Sequence, residues 1–483
     1  MDYQKQRNKF MNNFISFIAM KNNLWILTEE RPKVDVLKII FKRFALDNKC
    51  GFFGDTIRIL PILDDDRQFT FTYEVIGFSC AKVNKVYIKT VSGYSSFVDY
   101  LIFWQEQKPE IKDNPIYAIE ETKTDDTESR NTGVYQRCSK FVYIKSFYPN
   151  VKLLMLYNIH VEQKEKPSAT NILGTRLLIT YGVEILGKEL DPNIFKPFSS
   201  IDELMNVKSN MRKPPMGNVP IMIKRNENVI SISGRLYKNG GLCHDPNIGA
   251  LSIISAVLRM LGWTEQIVIT NHGLSQNNVG NTNKFIQIAN NLNILLDGLN
   301  LPINNQNIAY WHYETKGEKL GTIFIHLVVE SFTNGYSIFE NHAGCEKGYF
   351  ITKSGEYLQL AKYQNKELYK SGDKGQIIYI PDLILIDFER SEVINIEGKK
   401  YQFREKGIKE LNNYDFIENN YIQKYYSNVK IIRTVVLYGS NNNEIVEIEV
   451  GFLLNEKGKL ILGVQAPNLF KKAIRNLLDF WAQ

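Results

Sequence analysis

Apolar positions recur with helical spacing through residues 34–46, Val-Asp-Val-Leu-Lys-Ile-Ile-Phe-Lys-Arg-Phe-Ala-Leu, and predict an amphipathic helix early in the chain. The period then shortens. Runs at 56–62, 69–77 and 85–90, rich in Ile, Phe, Tyr and Val, read as strands. Phe97–Trp104 and Ile116–Thr122 read as a hairpin around a loop at 107–114. Residues 134–147 suit a helix, and Val151–Ile159 and Thr175–Ile185 suit strands. Ser209–Val219, with its Lys213-Pro214-Pro215-Met216-Gly217, has the composition of a linker.

Beyond the linker, Asp245-Pro246 makes a helix start, Gly249–Leu261 an apolar helix and Gly262 its stop. A strand at Gln266–Thr270 and a helix at Asn281–Leu299 are expected next. Asn271-His272-Gly273 lies just past that strand, a frequent place for functional loops in α/β folds. An ordinary polar turn is the plainer reading. The last third offers an apolar stretch at Leu320–Phe332 and a hairpin of Ile377–Phe388 with Val393–Lys399. A helix near 412–426, strands at 429–438 and 444–454 and a closing helix at Asn468–Trp481 complete it.

The two hairpin regions share an order of landmarks. Phe147-Tyr148-Pro149-Asn150-Val151-Lys152 is echoed by Tyr425-Tyr426-Ser427-Asn428-Val429-Lys430, and Pro192-Asn193-Ile194-Phe195-Lys196 by Pro467-Asn468-Leu469-Phe470-Lys471. Upstream, each region carries an acid on an apolar strand and then Glu-x-Lys: Asp99, Glu121 and Lys123 in the first, Asp382, Glu397 and Lys399 in the second. The pattern predicts an α/β protein with two related modules, 1–212 and 313–483, each a mixed sheet flanked by helices. An additional α/β segment at 226–312 lies between them.

Composition narrows the class without choosing a function. The 483 residues are 44% hydrophobic and 23% charged, as in globular proteins with two or three domains. No stretch reaches the roughly 18 uncharged apolar residues of a membrane span. The start, Met-Asp-Tyr-Gln-Lys-Gln-Arg, lacks the apolar run of a secretion signal, so a cytoplasmic protein is expected. Five cysteines without paired spacing fit a reducing compartment, and His342 near Cys345 or His244 beside Cys243 lacks the close ligand pairs of structural zinc. The net charge of +7 is a mild basic excess.

The candidate chemistry lies in the hairpins. With residues 389–392 as the turn, Asp382 and Glu397 fall opposite each other, and alternation puts Glu397 and Lys399 on one face. Asp99 and Glu121 bracket a longer loop in the same way, and alternation turns Glu120 to the other face. Carboxylate pairs offer hard oxygen donors to a small divalent cation, and an ammonium beside them meets negative charge developing on a phosphate. Other Glu-x-Lys runs, such as Glu162/Lys164, lack the apolar strand and upstream acid.

Pro381-Asp382…Glu397-Gly398-Lys399 and Val98-Asp99…Glu121-Thr122-Lys123 resemble the motif of the PD-(D/E)xK nuclease superfamily, which includes type II restriction endonucleases. The first copy has Val98 where the family often has proline. The resemblance implies restriction-endonuclease-like modules holding Mg²⁺, with Mn²⁺ as a substitute, on Asp99, Glu121, Asp382 and Glu397. Lys123 and Lys399 would orient or activate the attacking water. Asp55 and Glu340 are weaker candidate ligands, since such nucleases often add a carboxylate from a leading helix. Gln136 and Lys140, on the helix after the first hairpin, are candidates for the DNA backbone. Asn271, Gln276, Asn277, Asn278, Asn281 and Asn283 are candidates for base recognition, because Asn and Gln pair bidentately with adenine. The implied activity is sequence-specific cleavage of double-stranded DNA, each module cutting one strand, by a monomer or a homodimer. A structure-specific repair or recombination nuclease, or a DNA-binding protein with one or both sites inactive, are the alternatives.

Overall fold

The computed structural model describes residues 21–54, 56–63, 69–93, 96–122, 133–157, 169–187, 189–209, 222–234, 236, 245–277, 283–301, 309–315, 318–342, 344, 347–361, 378–438, 448–449, 452–454, 460–462 and 466–483. It is a mixed α/β chain with several mixed sheets flanked by helices. Among the described residues no helix is long and apolar enough to cross a membrane.

The chain divides into two compact units that do not follow the expected boundaries. One unit combines residues 1–91, 105–107 and 313–483, and the other takes 92–104 and 108–312. The first 91 residues thus group with the last third, and the segment at 226–312 shares a unit with the first hairpin.

The discontinuous unit opens with β1 (Asn22–Thr28) and α1 (Val34–Asp47), which buries Val36, Leu37, Ile40, Phe41 and Phe44 on its apolar stripe. Strands β2 (Arg58–Leu63), β3 (Phe69–Ile76) and β4 (Val83–Ser92) follow. Here β2–β3 and β3–β4 pair antiparallel, while β1 runs parallel to β4.

The second unit is built on β5 (Tyr100–Gln105), β6 (Tyr117–Thr122), α2 (Gly133–Lys145), β7 (Lys152–Tyr157), α3 (Ala169–Thr180) and β8 (Val183–Leu186). β5 pairs antiparallel to β6, and β6, β7 and β8 run parallel. A second sheet of β9 (Met222–Asn226), β10 (Val229–Ser233), β11 (Gln266–Thr270) and β12 (Ile294–Leu296) carries α4 (Asp245–Met260) in its β10–β11 crossover. α4 crosses α2 so closely that a Cβ on Gly249 would overlap the Tyr135 backbone. The middle segment is therefore packed on the helix that follows the first hairpin.

Two elements depart from the pattern. Thr175–Ile185, expected as a strand, is mostly the helix α3, packed against α2 where Gly174 meets Val134. The expected helix at Asn281–Leu299 stops at Asn291, and Asn293 takes a left-handed φ of 51° before β12 begins.

The discontinuous unit resumes with α5 (Glu318–Phe332), β13 (Tyr336–Glu340), β14 (Leu383–Asp387), β15 (Glu392–Lys400), α6 (Arg404–Leu411), β16 (Lys430–Tyr438) and α7 (Asn468–Trp481). β13–β14 and β14–β15 are antiparallel, and β15–β16 is parallel. One sheet face packs Leu383, Leu385, Ile394 and Ile396 against Phe324 and Val328 of α5 and Phe470 and Ile474 of α7. The other packs Ile384, Ile386 and Val393 against Ile417, Ile422 and Tyr426. The landmark Pro467-Asn468-Leu469-Phe470-Lys471 starts α7, whereas its echo from Pro192 is a turn, so that pair has no common fold.

Candidate functional site

The second hairpin has the expected register. Leu383 pairs with Ile396, so Asp382 stands opposite Glu397 on the face away from α5. The turn is held by Asp387 Oδ1, which accepts from the N–H groups of Glu389 and Arg390 at 3.0 and 3.4 Å. Asp382 is anchored through its side chain, its Oδ2 accepting the Gly398 N–H at 2.7 Å.

Glu397 and Lys399 point the same way and form an ion pair. Lys399 also reaches Glu410 Oε2 of α6 at 2.9 Å, and the Tyr414 hydroxyl donates to Glu397 Oε2. α6 lies flat on the lysine stem, for a Cβ on Gly407 would sit 2.9 Å from Lys399 Cγ. Burial pushes the Glu397 carboxyl up, and the nearby Lys399 only partly offsets it. Burial works against the Lys399 charge, but Glu397, Glu410 and Asp382 outweigh it and raise its pKa. Lys399 is therefore an ammonium. Glu410 and Tyr414 were not anticipated, because they follow the motif on a separate helical segment.

The first hairpin repeats this geometry one residue out of step with the motif. Tyr100 pairs with Ile119, so the residue opposite Asp99 is Glu120. Asp99 Oδ2 accepts the Glu121 N–H at 2.6 Å, the bond that Asp382 makes with Gly398. Glu120 thus corresponds to Glu397, Glu121 to Gly398 and Thr122 to Lys399. The expectation that Glu121 joins Asp99 and Glu120 turns away is reversed, since a one-residue shift of register exchanges the faces. Lys123 and Asp55 lie outside the described residues.

The ammonium at this site comes from α2. Lys140 Nζ is 2.7 Å from Glu120 Oε1 and 3.9 Å from Asp99 Oδ1, and Arg137 Nε stands 3.8 Å from Glu120 Oε1. Burial opposes the Lys140 charge, but Glu120 and Asp99 outweigh it and raise its pKa. Tyr310 braces the strand entering the site, its buried hydroxyl accepting the Val98 N–H at 3.0 Å and donating to Ser96 O at 3.1 Å.

Glu120 is 2% exposed, and burial together with the Asp99 charge pushes its pKa up to about 7 despite Lys140. A cation binds the deprotonated carboxylate, so if this pair holds a divalent metal its affinity should rise as pH passes through that value. Calorimetric Mn²⁺ titrations either side of neutrality test this. An affinity unchanged with pH would separate Glu120 from the metal.

The shared turn before the next strand is the firmest part of the repeat. Lys152 N donates to Ile116 O at 3.2 Å and Lys430 N to Ser391 O at 2.8 Å, each starting a parallel strand. Tyr148 and Tyr426 each donate a hydroxyl to a distant carbonyl at 2.8 Å, Ile111 O and Ile351 O respectively.

The remaining candidates stay apart from these centres. Glu340 pairs with Leu383 and so lies on the α5 face, opposite Asp382, in an ion pair with Arg31. Gln136 is exposed on α2. Asn271, Gln276 and Asn277 are exposed, and Asn271 Nδ2 donates to Ser233 Oγ at 2.9 Å. Asn278 and Asn281 lie outside the described residues, as does the side chain of Asn283. His272 is part of the framework, since its Nδ1 accepts the Leu274 N–H at 3.0 Å while Nε2 faces Asp297 O at 2.8 Å. Comparison with protein-family models, with curated proteins and with solved structures finds no match to this chain.

Proposed function

We infer that the chain is a Mg²⁺-dependent endonuclease that cuts double-stranded DNA at specific sequences, one strand at each hairpin. The observation that carries this reading is the repeated constellation. In each hairpin an aspartate is pinned by the N–H one residue beyond the opposing glutamate, and an ammonium bridges toward the carboxylates. The mixed sheet β13–β14–β15–β16, led by α5 and crossed by α6, adds support, because the PD-(D/E)xK resemblance implies a mixed sheet between helices. Two sites in one polypeptide suit the two strands of a duplex.

The donor set fits a hard cation. Each centre presents carboxylate oxygens and, among the described residues forming it, neither imidazole nor thiolate. Asp382 with Glu397, and Asp99 with Glu120, would hold Mg²⁺. When bound, the cation acidifies a water and neutralises charge developing on the phosphate. Lys399 and Lys140 are protonated, so they act as fixed positive charges beside the scissile phosphate and orient the attacking water. The Tyr414 hydroxyl holds Glu397 in place, and Glu410 keeps the Lys399 ammonium at the carboxylates.

Incubation with supercoiled plasmid and phage DNA in Mg²⁺ tests the reading. Discrete fragments with constant end sequences are expected, with cutting abolished by excess EDTA and restored by Mn²⁺. Ca²⁺ should support binding with little cutting. Preference for branched or damaged DNA would replace sequence recognition with structure recognition, and full activity in EDTA would sink the metal mechanism.

A further inference from the structure

Behind the second hairpin, on the α5 face of its sheet, two histidines and two glutamates meet. His326 is fully buried on α5, and His342 follows β13 and is 8% exposed. His326 Nδ1 lies 2.8 Å from His342 Nε2 and 3.8 Å from Glu340 Oε2. These three donor atoms lie within 4.8 Å of one another.

The surrounding hydrogen bonds determine which nitrogens hold protons. His326 Nε2 is 3.0 Å from Glu330 Oε1, an acceptor, so that nitrogen carries its proton. The Thr322 hydroxyl donates to Lys319 O at 3.0 Å. Its oxygen, 3.0 Å from His342 Nδ1, therefore accepts, and the His342 proton sits on Nδ1. The neutral rings are left with their lone pairs facing each other, beside a carboxylate oxygen. Such a point is stable only around an electrophile.

We propose that His326 Nδ1, His342 Nε2 and Glu340 bind a transition-metal ion of the Zn²⁺ class at this point, separate from the Mg²⁺ sites. Metal-ligating imidazoles regularly give their second N–H to an outer acceptor that fixes the ring, and Glu330 and Thr322 occupy those places. Two imidazoles with a carboxylate select zinc or a neighbouring metal over magnesium. Tetrahedral zinc at about 2.0–2.1 Å from each nitrogen holds two nitrogens about 3.3 Å apart, so the rings separate by about half an ångström on binding. Arg31 contacts Glu340 Oε2 at 3.0 Å and Lys33 lies 3.7 Å from Oε1, so the ion shares this carboxylate with two cationic side chains. The site has a structural consequence. Glu340 and His342 flank Asn341, whose N–H donates to Asp382 O at 2.7 Å.

The test uses untagged full-length protein, stripped with chelator and then exchanged into Zn²⁺ or Co²⁺ in the presence of excess Mg²⁺. One tightly held Zn²⁺ per chain is expected, with zinc-edge X-ray absorption showing two imidazole ligands. The Co²⁺ form should show the visible bands of a low-coordinate nitrogen–oxygen site. His342→Gln, at the edge of the cluster, should lose the ion while keeping the fold seen by circular dichroism. No retained Zn²⁺ in the wild-type protein, or a metal spectrum without imidazole, overturns the proposal and leaves a proton shared between the rings. Because the wild-type absorption spectrum needs no variant, a misfolded mutant does not obscure the answer.

Discussion

If the chain is the two-site endonuclease proposed above, Lys399→Ala should turn it into a nickase. Supercoiled plasmid should convert to open circles and stop there, because the first hairpin keeps its own carboxylates and Lys140. The lost ammonium is half of an ion pair with Glu397 and is also held by Glu410. Removing a charge positioned at a transition state costs about 3–4 kcal/mol, a hundredfold or more in rate. Lys140→Ala should nick the other strand. Lys123→Ala should leave linearisation near the wild-type rate, because Lys140 already stands between Asp99 and Glu120. Gel separation of the plasmid forms and primer extension on the nicked product identify the strand. If Lys123→Ala nicks and Lys140→Ala linearises, the ammonium that serves the first hairpin is Lys123. Loss of all cutting in either variant would mean that the sites are coupled.

Arg31→Ala should be the most destabilising single change in the buried ion network. The guanidinium, 9% exposed, contacts Glu330 Oε2 at 2.9 Å and Glu340 Oε2 at 3.0 Å. Removing one partner from a fully buried pair costs about 3–5 kcal/mol, and with both carboxylates about a quarter exposed the loss here should lie below that. Burial alone would raise both carboxyls, but Arg31 together with His326 brings Glu330 down to about 2, and Arg31 with Lys33 and the two histidines holds Glu340 well below the usual range. Depressed carboxylates contribute stability that is complete above their unfolded pKa of about 4.3 and is lost as pH falls toward the folded value. The wild-type protein therefore loses stability in acid through these groups. In Arg31→Ala both half-buried carboxylates lose that cation, their pKa values rise, and the deficit shrinks as pH falls. Urea unfolding at neutral pH and at about pH 4 reads the difference. A deficit that is equal at both pH values would assign the loss to packing.

The second centre was legible because a short turn fixes register. Asp387 captures two N–H groups at the turn, so counting outward from 389–392 places Asp382 opposite Glu397. The first hairpin has a long loop, and its Glu120-Glu121 pair satisfies an acidic motif in either register. Side chains on a strand have a period of two, so the one-residue ambiguity reversed the faces. Lys140 and Glu410 could not be read from a linear spacing, since helices bring them back onto the strands from 20 and 13 residues beyond Glu120 and Glu397. The buried histidine pair left a trace that went unread. His326 and Glu330 are one helical turn apart, and Glu340 and His342 alternate at a strand end, so each pair shares a face. Thr175–Ile185 misled for a different reason, because β-branched residues record a packed surface more than a backbone preference.

The interleaving of the two units bears on how the chain is made. Domains fold as they leave the ribosome, beginning with the N-terminal part. Here β1 to β4 emerge first, yet their unit is completed only by residues 313–483. Arg31 waits nearly three hundred residues for Glu330, so a newly made chain carries β2 and β3 without the α5 that packs on them while the unit at 108–312 collapses. Nascent chains stalled before residue 313 should therefore expose Phe69 and Phe71 of β3, which pack on Phe324 and Tyr438, to chaperones, and expression of 1–212 alone should give an insoluble fragment even though its hairpin is intact.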